Sequence, residues 1–146
     1  MFMKYETWKT LTVYFFVFLF VYTAGSKWMD YARFKWVLED SPLLKSFSTV
    51  IAIGLPAGEL VIALLLLLPR SRQTGLLYTV IMMGIFTTYI GYMLLTASSL
   101  PCSCGGVLRS MSWLQHFFFN LFLFLLALWA YRVHHQHTNI IAQYRK

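Results

Sequence analysis

The chain has 146 residues, enough for one domain, of which 59% are hydrophobic and only 12% charged, against about 25% charged in soluble domains. Its net charge is +7, but the twelve Lys and Arg residues lie in short segments between apolar runs, which excludes the single basic patch or stripe of a nucleic-acid binder. The composition is that of a chain whose outer faces lipid covers and whose basic loops touch anionic headgroups.

A bilayer core is crossed by about 20 apolar helical residues. No Asp, Glu, Lys or Arg occurs from Thr10 to Ser26, and this predicts a first transmembrane helix over residues 7–26. Its basic start and apolar centre resemble a signal peptide, but Thr23-Ala24-Gly25-Ser26 is a weak cleavage site, so the segment is read as a helix. Residues 28–39 differ. Tyr31, Phe34 and Leu38 fall at helical spacing with Asp30, Arg33 and Lys35 between them, which predicts a short amphipathic helix on the membrane surface.

Ser41-Pro42 reads as an N-cap followed by proline at the first helical position, so a second span is expected over 43–69 with Lys45 snorkelling outward. Glu59 is its only charge between Ser46 and Pro69. Pro69 ends that span, and Arg70-Ser71-Arg72 makes a tight turn. No Asp, Glu, Lys or Arg occurs from Gln73 to Leu108, enough for a third span over 74–97 and a loop over 98–110. Ser112-Trp113-Leu114-Gln115 fits a capping box opening a fourth span over 112–132. The expected fold is an all-α membrane protein: a single domain, 1–146, forming a four-transmembrane-helix bundle with a short amphipathic surface helix after the first span.

Four spans put both termini on one side. That side and the second loop hold Lys4, Lys9, Arg70, Arg72, Arg132, Arg145 and Lys146; the opposite side holds Lys27, Arg33, Lys35, Lys45 and Arg109. By the positive-inside rule the termini are expected in the cytoplasm and the 98–110 loop outside, in the periplasm of a bacterium.

That loop carries both cysteines of the chain, as Cys102-Ser103-Cys104. A disulfide between them closes a very small ring, whereas stabilisation by a disulfide grows with the length of the loop it constrains. Such a bond is expected to be strained and easily reduced. A purely structural role is poorly motivated, and thiol–disulfide exchange fits, on the side where disulfides persist. Pro101 stiffens the approach, and Gly105-Gly106 leaves room for a partner. The start of the fourth helix and Arg109 favour thiolate weakly. The competing reading is a pair of inert reduced thiols. A zinc site would need two further ligands where only His116 is near, so no metal is expected.

Glu59 falls near mid-membrane, where an ionised carboxylate must be protonated, paired or wet. Gly54, Pro56 and Gly58 around it suggest a kink and close approach by another helix. Trp113, His116 and Asn120 share one face of the fourth helix, and Tyr89 and Tyr92 are candidates to complete a polar interior. This group reads either as a proton path or quinone site, or as a hydrogen-bonded cluster that holds the bundle together. The His134-His135-Gln136-His137 tract reads as a solvated juxtamembrane stretch.

Three stretches resemble the DoxX-like families, and within them the MauE group of redox-associated membrane proteins. They are Ala24-Gly25-Ser26-Lys27 with Phe34; Leu55-Pro56-Ala57-Gly58-Glu59-Leu60 ending in Leu68-Pro69; and Pro101-Cys102-Ser103-Cys104-Gly105-Gly106-Val107 with Trp113, His116 and Asn120. The last is the most specific. The resemblance implies a four-helix bundle of the bacterial inner membrane, linked to disulfide formation in periplasmic methylamine dehydrogenase through a thioredoxin-like partner. It implies Cys102 and Cys104 as the exchanging pair, supported by Glu59, His116 and Asn120. A more distant resemblance to DsbB-type and vitamin K epoxide reductase-type bundles implies quinone as an electron partner. Those bundles use two cysteine pairs and this chain has one, so it has no internal disulfide relay. The alternative is a non-catalytic accessory subunit of a larger membrane or envelope complex, contacted through aromatic outer faces and the segment Trp28–Leu38.

Overall fold

The computed structural model describes residues 2–96 and 112–144, with side chains from 7 to 96 and from 112 to 136. Its elements are α1 (Phe2–Met29), α2 (Tyr31–Asp40), a 3-10 turn (Lys45–Phe47), α3 (Ser48–Leu67), α4 (Arg72–Thr96) and α5 (Trp113–Tyr144). No strand occurs among the described residues. Four segments are long and apolar enough to cross a membrane: Thr7–Met29, Lys45–Leu67, Arg72–Thr96 and Trp113–Gln136. The chain is therefore a multi-pass membrane protein with a short helix after its first span.

The helices are apolar on every side, as lipid exposure requires. On α1, Phe16 and Phe20 are one turn apart and face inward at 0% and 1% exposure, while Phe18 on the opposite face is 69% exposed. The inward set builds one core of Val13, Phe16, Phe20, Ile62, Leu66 and Leu76, with Leu123, Ala127 and Ala130 from α5. α1 packs along α3, α3 along α4, and α4 along α5, whereas α1 meets α5 at few positions. Between those two lies an open apolar groove of about 650 Å³ lined by Trp8, Leu11, Thr12, Phe15, Leu126 and Trp129.

Close contacts at glycines fix the register of the antiparallel pairs. A Cβ on Gly75 would stand 2.9 Å from the backbone nitrogen of Leu66, so α4 presses directly on the α3 backbone there. Gly58 faces Met82 farther along the same pair, while Gly84 and Gly91 of α4 receive the rings of Phe124 and Phe117 of α5. Gly54, by contrast, faces open space. α3 continues through Pro56, whose missing N–H removes one helical hydrogen bond.

Two helix ends show how the sequence satisfies its orphan backbone groups. At the start of α5 the Gln115 N–H donates to Ser112 Oγ at 3.3 Å and the Ser112 N–H donates to Gln115 Oε1 at 2.9 Å, the reciprocal pair of a capping box. At the end of α3, Ser71 Oγ donates to the Leu65 carbonyl at 3.0 Å and Arg72 Nε to that of Leu66 at 3.2 Å. The Arg70–Arg72 turn thus binds the helix it follows.

The second span lacks the N-cap expected at Ser41. Ser41 is the C-cap of α2, its N–H donating to the Leu38 carbonyl at 3.3 Å, and α3 begins seven residues later, after the 3-10 turn. Ser41 is 1% exposed and its Oγ accepts the Tyr89 hydroxyl at 2.9 Å. That bond gives the serine a tertiary partner in place of a helical N–H. α2 lays Leu38 inward and packs on α3, with Lys35 and Glu39 paired across one turn at 3.7 Å on its outer side.

Candidate functional site

Glu59 is the only Asp or Glu in the last three spans, and its side chain is 1% exposed. A carboxylate in that setting needs a compensating charge. Lys27 supplies it: Nζ donates to Glu59 Oε1 at 2.7 Å. The lysine stands in the last turn of α1, which continues through Met29, beyond the expected 26. The extra turn carries Lys27 into the bundle instead of leaving it in a loop. Its ammonium also lies 5.8 Å and 6.0 Å from the ring centroids of Phe34 on α2 and Phe86 on α4, at the outer limit of a cation–π contact. One ion pair therefore ties together four elements.

The pairing is unequal. Lys27 is 19% exposed. Glu59 Oε2 is buried with no hydrogen-bond partner. Thr23, one turn earlier on α1, approaches the same carboxylate, although its hydroxyl donates to the Phe20 carbonyl at 3.2 Å.

The helix register sets depths. Gly58 against Met82 puts Glu59 level with the middle of α4, and Gly84 against Phe124 carries that level to about residue 126 of α5. Asn120 then lies about 9 Å, and His116 about 15 Å, nearer the Trp113 end at 1.5 Å per residue. His116 is half-buried. Asn120 is 6% exposed and its amide donates to the His116 carbonyl at 3.1 Å. The Trp113 and His116 rings are tilted, 6.5 Å apart. Glu59, Lys27, Asn120 and His116 thus rise in steps from the middle of the bundle toward the end where α4 finishes and α5 begins.

The two tyrosines do not join that interior as expected. Tyr89 reaches sideways to Ser41, and Tyr92 is 39% exposed. Both line an outer groove on α4 with Leu43, Ile85 and Phe124. At the opposite end of the bundle His135 is engaged by Gln73 and stacks on Tyr131. Cys102 and Cys104 lie outside the described residues. The segment that carries them leaves α4 at Thr96 and enters α5 at Ser112.

Lys27 is the site residue that reading the sequence missed. Its signal was present: an intramembrane carboxylate calls for a cation, and Lys27 directly follows a charge-free run of seventeen residues from Thr10 to Ser26.

Residues 6–132 match the sequence model of a family described as methylamine utilisation protein MauE. No curated protein and no solved structure matches the chain.

Proposed function

The chain belongs to the MauE family, and from that premise we propose that it is the membrane component of a thiol–disulfide exchange pathway at the periplasmic face of a bacterial inner membrane. The observation that carries this reading is the isolated Cys102-Ser103-Cys104 pair in the segment joining α4 to α5. It is the only cysteine chemistry in the chain, and its ring is too small to serve stability.

The exchange balances within the pair. The thiolate of one cysteine attacks a disulfide sulfur of a thioredoxin-like partner, forming a mixed disulfide and releasing the partner's other sulfur as thiolate. The second cysteine attacks the first, closing the Cys102–Cys104 disulfide and releasing the partner as a dithiol. Two electrons pass to the partner, and two protons follow them. The reverse sequence oxidises the partner. With one pair there is no internal relay, so a second reactant must reset the cysteines each cycle: a quinone, reduced to quinol by the same two electrons and two protons, or another protein disulfide.

Glu59, His116, Asn120 and Trp113 support this chemistry from inside the bundle. His116 and Asn120 descend from the α5 terminus to which the cysteine segment is tied, and they hold or pass protons as sulfur and quinone change state. The apolar outer groove on α4, about 660 Å³ with Tyr89 and Tyr92 along it, has the size and the polar edge to receive a quinone ring from lipid.

Thiol trapping in cells tests the reading. One of Cys102→Ser and Cys104→Ser is expected to accumulate a mixed disulfide with a periplasmic protein, and the double variant none. Full function in both single serine variants would overturn it.

A further inference from the structure

The charged side chain that reaches Glu59 comes from the α5-start side of it: Lys27, in the last turn of α1. Toward the α5 start lie Lys27, Asn120 and His116. Toward the other face the described core is Phe16, Phe20, Ile62, Leu66, Leu76 and Ala130, and the buried polar groups there are Thr79, Thr12, Lys9 and the Nδ1 of His134. The hydroxyls within that stretch are closed on their own helices: Thr79 donates to the Gly75 carbonyl at 2.8 Å and Thr12 to that of Trp8 at 2.9 Å. A proton at Glu59 therefore meets the part-exposed Lys27 ammonium in one direction, whereas in the other about two helical turns separate it from the level of His134.

We propose that Lys27 and Glu59 form a proton-binding site that exchanges with only one membrane face, the face at which α1 ends and α5 begins. Glu59 Oε2 is the vacant acceptor: it is buried and unpartnered while Oε1 holds the lysine. Lys27 is the entrance, being the exposed member of the pair and two residues from the end of its helix. In the loading step an N–H bond of the ammonium breaks and an O–H bond forms on the carboxylate. The neutral amine then takes a proton from the same face. The site passes from net zero to one positive charge.

The other groups around the pair leave it in this role. α2 brings Arg33, half-buried and with an interaction of its own, and the Lys35–Glu39 pair. α4 brings no Asp, Glu, Lys, Arg or His beyond Arg72, and its Tyr89 bonds Ser41. α5 brings His116 above the pair, and Arg132, His134 and His135 at the far end, the last engaged by Gln73. The loading step uses neither cysteine, although Glu59 is also proposed above to support the thiol exchange, and the test separates the two.

The test uses the full-length protein in proteoliposomes of one orientation, with internal and external pH set separately. Dicyclohexylcarbodiimide crosses lipid and reacts with protonated carboxyls, and peptide mapping separates Glu59 from the other four acidic residues. Labelling of Glu59 is expected to rise by up to about tenfold per unit of acidification on the α5-start face, the limit for one proton. It should not respond to the other face. Cys102→Ser/Cys104→Ser protein should behave identically, which separates this site from the redox reading. Labelling that follows the opposite face, both faces or neither, including none at any pH, overturns the proposal.

Discussion

At the scale of single residues, the Lys27–Glu59 pair dominates the interior. Burying two ions in a low-dielectric bundle costs several kcal/mol each, which their attraction offsets only while both are present. Lys27→Met strands the carboxylate, and we expect a loss of up to about 3–5 kcal/mol. Lys27→Met/Glu59→Gln removes both charges and should recover most of that loss. Thermal unfolding in detergent checks the ordering of the three proteins; a double variant as unstable as the single one would mean that the pair acts through packing. The pair also shows what the sequence conveyed about the site. Glu59 stands out because a lone charge in an apolar run is conspicuous. Lys27 does not, because a lysine at the end of a span normally reaches outward to headgroups. Which way it turns depends on a partner 32 positions away on another helix.

At the scale of elements, the same contrast appears in the helix ends. The Ser112–Gln115 capping box is a local pattern, and its two reciprocal hydrogen bonds form as the spacing predicts. Ser41-Pro42 is an equally good local pattern for a cap, yet Ser41 ends α2 and binds Tyr89. A tertiary partner outcompeted the helix N-terminus there. Helix pairing follows from small residues more than from hydrophobicity, since lipid is as apolar as the core. Gly75 is the sharpest case. A methyl group at that position meets the Leu66 backbone, which has no rotamer to yield. Gly75→Ala should destabilise the protein by about 1–3 kcal/mol through overpacking, despite alanine's better helix propensity. Gly54→Ala, facing open space, should be neutral or stabilising. Unfolding midpoints of the two variants, measured side by side, check this.

At the scale of the whole molecule, four spans place both ends of the chain on one face and the cysteine segment on the other. The basic residues favour the termini in the cytoplasm, seven against five. Removing Lys27 and Lys9, both held within the bundle, makes that bias six against four. A C-terminal fluorescent-protein fusion is therefore expected to be bright and a C-terminal alkaline phosphatase fusion inactive; the opposite pattern would put the cysteines in the cytoplasm and end the periplasmic exchange reading. In the expected orientation the end of the bundle that holds Lys27, Asn120 and His116 faces the cysteines' side, so thiol exchange and the proposed proton binding draw on the same compartment.

The sequence by itself determined that this is a four-span membrane protein with one cysteine pair and one intramembrane carboxylate, because span length and the absence of charge are one-dimensional properties. It also determined the cap of α5, because a capping box closes within four residues. Only the tertiary structure decided that Lys27 turns inward, that Ser41 serves Tyr89, and that Asn120 and His116 lie between the level of Glu59 and the α5 start. Each of these depends on which helices are neighbours and in what register, and in this bundle the register is set by close contacts at glycines distant in the chain from the groups they align.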